Sequence, residues 1–210
     1  MTNFNYGRVT AWLLAAWFTI AFTAAALGWI EGVPNQPPLP FLISVIVPFA
    51  IFSIWVAVSK DFRAFLLGLN PRILTLVQSW RLGGFVFVVL ARYHILPNLF
   101  ALSAGYGDIF IGATAAFAAL RLIKSRRLFI LWQILGMTDL INAVFLGATA
   151  SLFNPHGILT TPMTVLPMSL IPTFAVPLFF LLHIICIAQA RQWTKDPQPS
   201  LDTRLHPFAA

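Results

Sequence analysis

Acidic residues are scarce in this 210-residue chain, six Asp and Glu against thirteen Lys and Arg, and charged residues make up only 9% of it. A soluble domain averages about 25% charged residues, so an ordinary solvated surface is excluded. Cysteine is scarcer still. Cys186 stands alone, which excludes an intramolecular disulfide and a thiolate metal cluster. The four histidines, His94, His156, His183 and His206, do not pair at ligand spacing, so no metal, haem or other cofactor is expected. A glycine-rich phosphate loop, a nucleophile elbow and an HExxH helix are also missing.

What fills the space is apolar: 59% of the chain. Six runs, near residues 9–30, 40–59, 73–92, 104–122, 128–148 and 170–190, are each about long enough to cross a hydrocarbon core as a helix, which needs roughly 20 residues. The runs are apolar all round, without the polar stripe of a surface helix. The expected fold is therefore all-α: a polytopic membrane protein, one six-helix transmembrane domain over 1–192, with the lipid bilayer as its principal partner. A proline-rich polar tail over 193–210 is expected to be cytoplasmic and disordered.

The net charge of +7 invites a nucleic-acid reading, but the basic residues are sorted by loop. Arg8, Lys60, Arg63, Arg72, Arg121, Lys124, Arg126, Arg127, Arg191, Lys195 and Arg204 all fall on one side of the six runs. Arg92 alone falls on the other, and Arg81 lies inside a run. This is the positive-inside asymmetry. It predicts an inner (plasma) membrane protein with both termini cytoplasmic and no nucleic-acid partner. The first run has small residues at 23–26 like a signal-peptide cleavage site. Its continuation through Trp29 and Ile30 favours a retained span.

Local chemistry adds detail between the spans. "EGVPNQPPLP" at 31–40 is a turn that cannot continue a helix. Segment 60–72 is too short to span and suits a short interfacial helix, with Asn70-Pro71 as N-cap and first helical residue of the third span. Residues 93–103 and 150–169 are expected to be loops, with a short helix starting at Thr161-Pro162. Trp12, Trp29, Trp55, Trp80 and Trp193 suit interfacial anchoring, with Trp80 also adjacent to Arg81 for stacking.

Ionisable residues inside spans cost about 2.5–3.5 kcal/mol each on insertion scales, so each needs a partner or a wet cavity. At about 1.5 Å per residue, Arg81 and Asp139 lie about 14 and 18 Å beyond Arg72 and Arg127, near the midplane, and Asp108 lies about 20 Å from Arg121. Gln78 and Arg81 share a face at i, i+3, which Phe85, Val88 and Arg92 continue. The fifth span carries Gln133, Asp139 and Asn142, and the sixth carries His183, expected to bond a neighbouring helix. Gly105, Gly107, Gly112 and Ala116 permit close helix approach. The third, fourth and fifth spans are thus expected to meet around Arg81, Asp108 and Asp139. Two carboxylates facing one guanidinium leave an excess negative charge, to be met by a proton or a cation.

Gly105, Gly107 and Asp108, within "AGYGD", resemble the GxGD motif of presenilin-like and prepilin-peptidase-like intramembrane aspartyl proteases. The resemblance implies two aspartates sharing a proton to activate water, with Asp139 as the second. The chain departs from the motif's order, because in those families the other aspartate comes first and here the nearest upstream one is Asp61. The preferred expectation is binding or translocation of a small solute or ion, with proton coupling, at Arg81, Asp108, Asp139, Gln78 and Asn142, supported by Gln133 and His183. An intramembrane aspartyl hydrolase and a non-catalytic assembly partner are the two alternatives.

Overall fold

The computed structural model describes residues 5–31, 39–153 and 158–193, and backbone only for 40–41 and 151–153. The proline-rich turn at 32–38, His156, His206 and the expected tail beyond 193 lie outside the described residues. Within them the chain is helical throughout, with no strand. Five helical stretches are long and apolar enough to cross a membrane, six if one bent pair counts as a span.

Helix α1 (Tyr6–Ala26) starts at Asn5, whose side chain accepts from the Arg8 N–H. It stops four residues short of the expected Ile30. Gly28 adopts φ +71°, and the Trp29 N–H reaches back to the Ala24 carbonyl, a left-handed stop suited to glycine. Helix α2 (Leu39–Val58) is joined through extended Ser59 to the short α3 (Lys60–Leu67) at a 108° bend. The Ser59 hydroxyl caps α3 by accepting from the Phe62 N–H. Phe62 and Leu66 on α3 are buried, and Phe62 stacks on Trp55 at 3.7 Å between ring centroids. Gln189 holds α3 from the other side, donating to the carbonyls of Leu66 (2.9 Å) and Leu69 (2.8 Å).

The third apolar run begins as the local chemistry predicts. Asn70 accepts from the Arg72 N–H and Pro71 is the first helical residue. It then changes pitch: α4 (Pro71–Val77) passes into a 3-10 stretch (Gln78–Gly84) and back to α5 (Phe85–Arg92). The buried row is Thr75, Gln78, Arg81, Gly84 and Phe87, a strict period of three. An α-helix would rotate that row out of register, whereas three residues per turn keep it in line. This corrects the expected face. Phe85 is exposed and Arg92 faces outward, as does Trp80, which is 80% exposed and has no stacking partner among the described residues.

Helix α6 (Asn98–Leu120) starts right after Pro97, so the loop expected over 93–103 shrinks to 93–97. Burial supplies the reason: Leu96, Phe100, Ala101 and Ala104 pack with Phe87, Ala91 and Met163 in one cluster. Helix α7 (Arg126–Phe153) likewise runs past its expected end. A 3-10 turn at Thr161–Thr164 stands where Thr161-Pro162 is expected to start one. A wide turn at Ile171–Ala175 leads into α8 (Val176–Arg191). Pro177 has no N–H for the Thr173 carbonyl, and the Trp17 indole of α1 donates to it instead (3.2 Å).

The most extensive packing is between α6 and the 3-10 stretch, followed by α6 with α5 and α7, and α7 with α8. Helices α1 and α2 are peripheral and keep broad apolar faces exposed.

Candidate functional site

The centre of the bundle is one side chain, Arg81, which is buried with 1% of its side-chain surface accessible. Its Nε donates to Asp108 Oδ1 on α6 at 2.7 Å. Its Nη2 forms an ion pair with Asp139 on α7. Its Nη1 donates to the Gly136 carbonyl at 3.2 Å and lies 3.3 Å from His183 Nε2 on α8. One guanidinium therefore ties four helical stretches together, a use suited to its planar fork of five donors.

Glycines make this geometry possible. A Cβ on Gly107 would overlap the Asp139 carboxylate, one on Gly84 would meet Asp108, and one on Gly136 would meet the His183 ring at 2.5 Å. Gly112 admits the backbone of Leu82, at 2.5 Å from where its Cβ would stand, and Gly105 admits Val88 at 2.8 Å. The two glycines of "GYGD" thus have different work. Gly105 brings the Gln78–Arg92 stretch close, and Gly107 makes room for the second carboxylate.

A directed hydrogen-bond chain leaves the cluster. Thr75 donates to the Pro71 carbonyl (2.8 Å) and accepts from Gln133 Nε2 (3.1 Å). The Gln133 carbonyl oxygen therefore faces His183 Nδ1, and that nitrogen must be the donor. His183 is consequently the neutral Nδ1–H tautomer, its Nε2 accepting from Arg81. The imidazole is fixed at both nitrogens.

Of the expected site residues, Arg81, Asp108, Asp139, His183 and Gln133 are brought together. Gln78 lies one 3-10 turn away, its Nε2 donating to the Phe179 carbonyl at 3.1 Å and its Oε1 buried without a partner among the described residues. Asn142 is placed apart from the ion cluster, donating to Ser103 at 2.8 Å. The expected meeting of three spans is incomplete, since α8 supplies His183. Sequence reasoning also passed over Thr75 and Gly84. The period-three row 75-78-81-84-87 was the available signal for both.

Formally one guanidinium faces two carboxyl groups beside a neutral imidazole, so with both carboxylates ionised the cluster carries one excess negative charge, which a proton on either carboxyl would cancel. Access is unequal as well. Asp108 and Asp139 keep 15% and 14% of their side-chain surface exposed. Asp108 also lines a cavity of about 130 Å³ between α5, α6, α7 and the 160–176 segment, otherwise walled largely by apolar side chains. Among the described residues, no group of three His, Cys, Asp or Glu side chains is placed to hold a metal ion.

No curated protein and no solved structure matches the chain. Residues 36–191, which include every residue of this cluster, match the family described as a domain of unknown function, DUF8737, and the chain belongs to that family.

Proposed function

We propose that this protein is a six-span integral protein of the inner (plasma) membrane, with both termini cytoplasmic, that binds or translocates a small solute or ion at the Arg81–Asp108–Asp139 cluster. The bent α2–α3 pair supplies the second span and a short interfacial helix. The sorting of Lys and Arg between loops supports the orientation, and the broad apolar faces of α1 and α2 suit lipid contact. In this orientation the cavity above Asp108 opens toward the outer side.

One observation carries the functional reading: two partly accessible carboxyl groups share a single buried guanidinium beside a cavity, so one of them lacks a cation of its own. Intramembrane ionisable groups that face a cavity mark solute and proton pathways. The uncompensated charge is where a proton or another cation enters, so proton coupling belongs to the proposal. The hydrolase alternative is less well supported, because Arg81 bonds one oxygen of each aspartate and stands where a shared proton and water would be needed.

Reconstituted vesicles carrying a proton or sodium gradient test this directly, read by a trapped pH- or sodium-sensitive dye. Asp108→Asn and Asp139→Asn should each abolish flux while the protein still folds and inserts. Flux absent from the parent, or unchanged in both variants, overturns the reading in favour of an assembly role for the cluster.

A further inference from the structure

We propose that the cavity bounded by Asp108 binds a small organic monocation with an apolar body, of the size of a phenylalkylamine. This rests on the binding reading above and adds the chemical class of the ligand. Three features of the cavity lead to it.

The walls are hydrophobic. Phe87, Phe100, Leu140, Val144, Met163 and Val176 line it, and the Phe87 and Phe100 rings meet edge to face at 5.7 Å between centroids. Such walls hold an apolar body, and aromatic rings also attract a cation within about 6 Å. The volume is modest. About 130 Å³ falls well below the roughly 300–1,000 Å³ of drug-sized pockets, which limits the occupant to a single ring or a short branched chain.

Among the described residues, the only ionisable one lining the cavity is Asp108. Arg81 engages its Oδ1, while its Oδ2 carries no hydrogen bond among the described residues. An anionic ligand would need Arg81, but that side chain is 1% exposed and already committed to Asp108, Asp139, Gly136 and His183. A neutral apolar ligand would strip water from a carboxylate and give nothing back. An ammonium donates to Oδ2 and neutralises the excess charge of the cluster.

Three probes with matched skeletons decide the matter: 2-phenylethylamine, 3-phenylpropanoate and 2-phenylethanol. Each is titrated against the full chain in lipid nanodiscs by calorimetry. The amine should bind at least about tenfold more tightly than the acid or the alcohol, with 1.4 kcal/mol per tenfold. Asp108→Asn should remove that preference. Ala143→Leu, which fills the cavity while leaving every residue of the ion cluster in place, should weaken amine binding. If Asp108→Asn fails to fold, the probe comparison and Ala143→Leu still decide. Equal binding of all three probes, tighter binding of the acid, or amine binding indifferent to Ala143→Leu overturns the inference. No amine binding, with Asp-dependent proton or sodium flux retained in vesicles, overturns this inference and leaves the broader reading standing. No binding and no flux overturns both.

Discussion

The Asp139 carboxylate occupies the space that a side chain on Gly107 would need. The same relationship recurs between Asp108 and Gly84 and between His183 and Gly136. Each polar group sits against bare backbone on a neighbouring helix. The cluster is therefore a packing solution as much as an electrostatic one, since small residues let helices close around polar groups that must not be left unpaired.

Gly107→Ala and Gly136→Ala should each destabilise the protein by about 1–3 kcal/mol, the usual cost of overpacking. Gly83, with nothing within 4 Å of its would-be Cβ, is the control. Gly83→Ala should be neutral or stabilising by about 0.4–1 kcal/mol through the unfolded chain. Thermal unfolding in detergent checks all three, and a Gly107→Ala protein as stable as Gly83→Ala would contradict the close approach.

Arg81→Gln should be far more damaging than Asp108→Asn or Asp139→Asn. Removing the cation strands two carboxylates, and breaking a buried pair costs about 3–5 kcal/mol. Removing one carboxylate leaves a balanced pair. The triple variant R81Q/D108N/D139N should recover much of the loss, because nothing charged is then left unpaired. Unfolding curves for the four variants test the order, and equal losses in Arg81→Gln and both single Asn variants would refute it.

His183 should appear as the Nδ1–H tautomer in ¹⁵N-labelled protein. Thr75→Val removes the acceptor for Gln133 Nε2 at the end of the chain, leaving a buried amide unpaired at a cost of about 1–3 kcal/mol. It should also loosen the histidine's tautomeric preference. Observation of an Nε2–H imidazole in the parent would reverse the chain's direction and sink this account.

Gln189→Leu should free α3 without unfolding the bundle. Two carbonyls at the C-terminal end of α3 then lose their donor, while Phe62 and Leu66 keep their contacts. Hydrogen exchange read by mass spectrometry should speed up over residues 60–69 and stay unchanged in α6 and α7. Uniform acceleration would show that α3 is integral to the core.

Several features were legible in the chain because their causes are local. Run length places the apolar helices, and Asn70-Pro71 marks a helix start wherever it occurs ahead of such a run. Gly28 was equally legible as a stop, yet hydropathy alone carried the expected span on to Ile30. The ends of α6 and α7 were misjudged for a different reason. Helix α6 reaches back to Asn98 because Phe100 and Ala101, with Leu96 just ahead of the helix, bury against Phe87 and Met163, a contact remote in sequence.

By itself, the sequence determined the helical class, the approximate bounds of the apolar segments and the short roster of polar residues that need partners. The tertiary structure alone decided the 3-10 pitch over Gln78–Gly84, the sharing of Arg81 by both aspartates, the entry of His183 from α8 and the cavity beside Asp108. The physical reason is rotational. Helices that are apolar all round carry no periodicity to say which face turns inward. That orientation follows from where glycine backbones allow close approach and where one guanidinium satisfies the most acceptors at once.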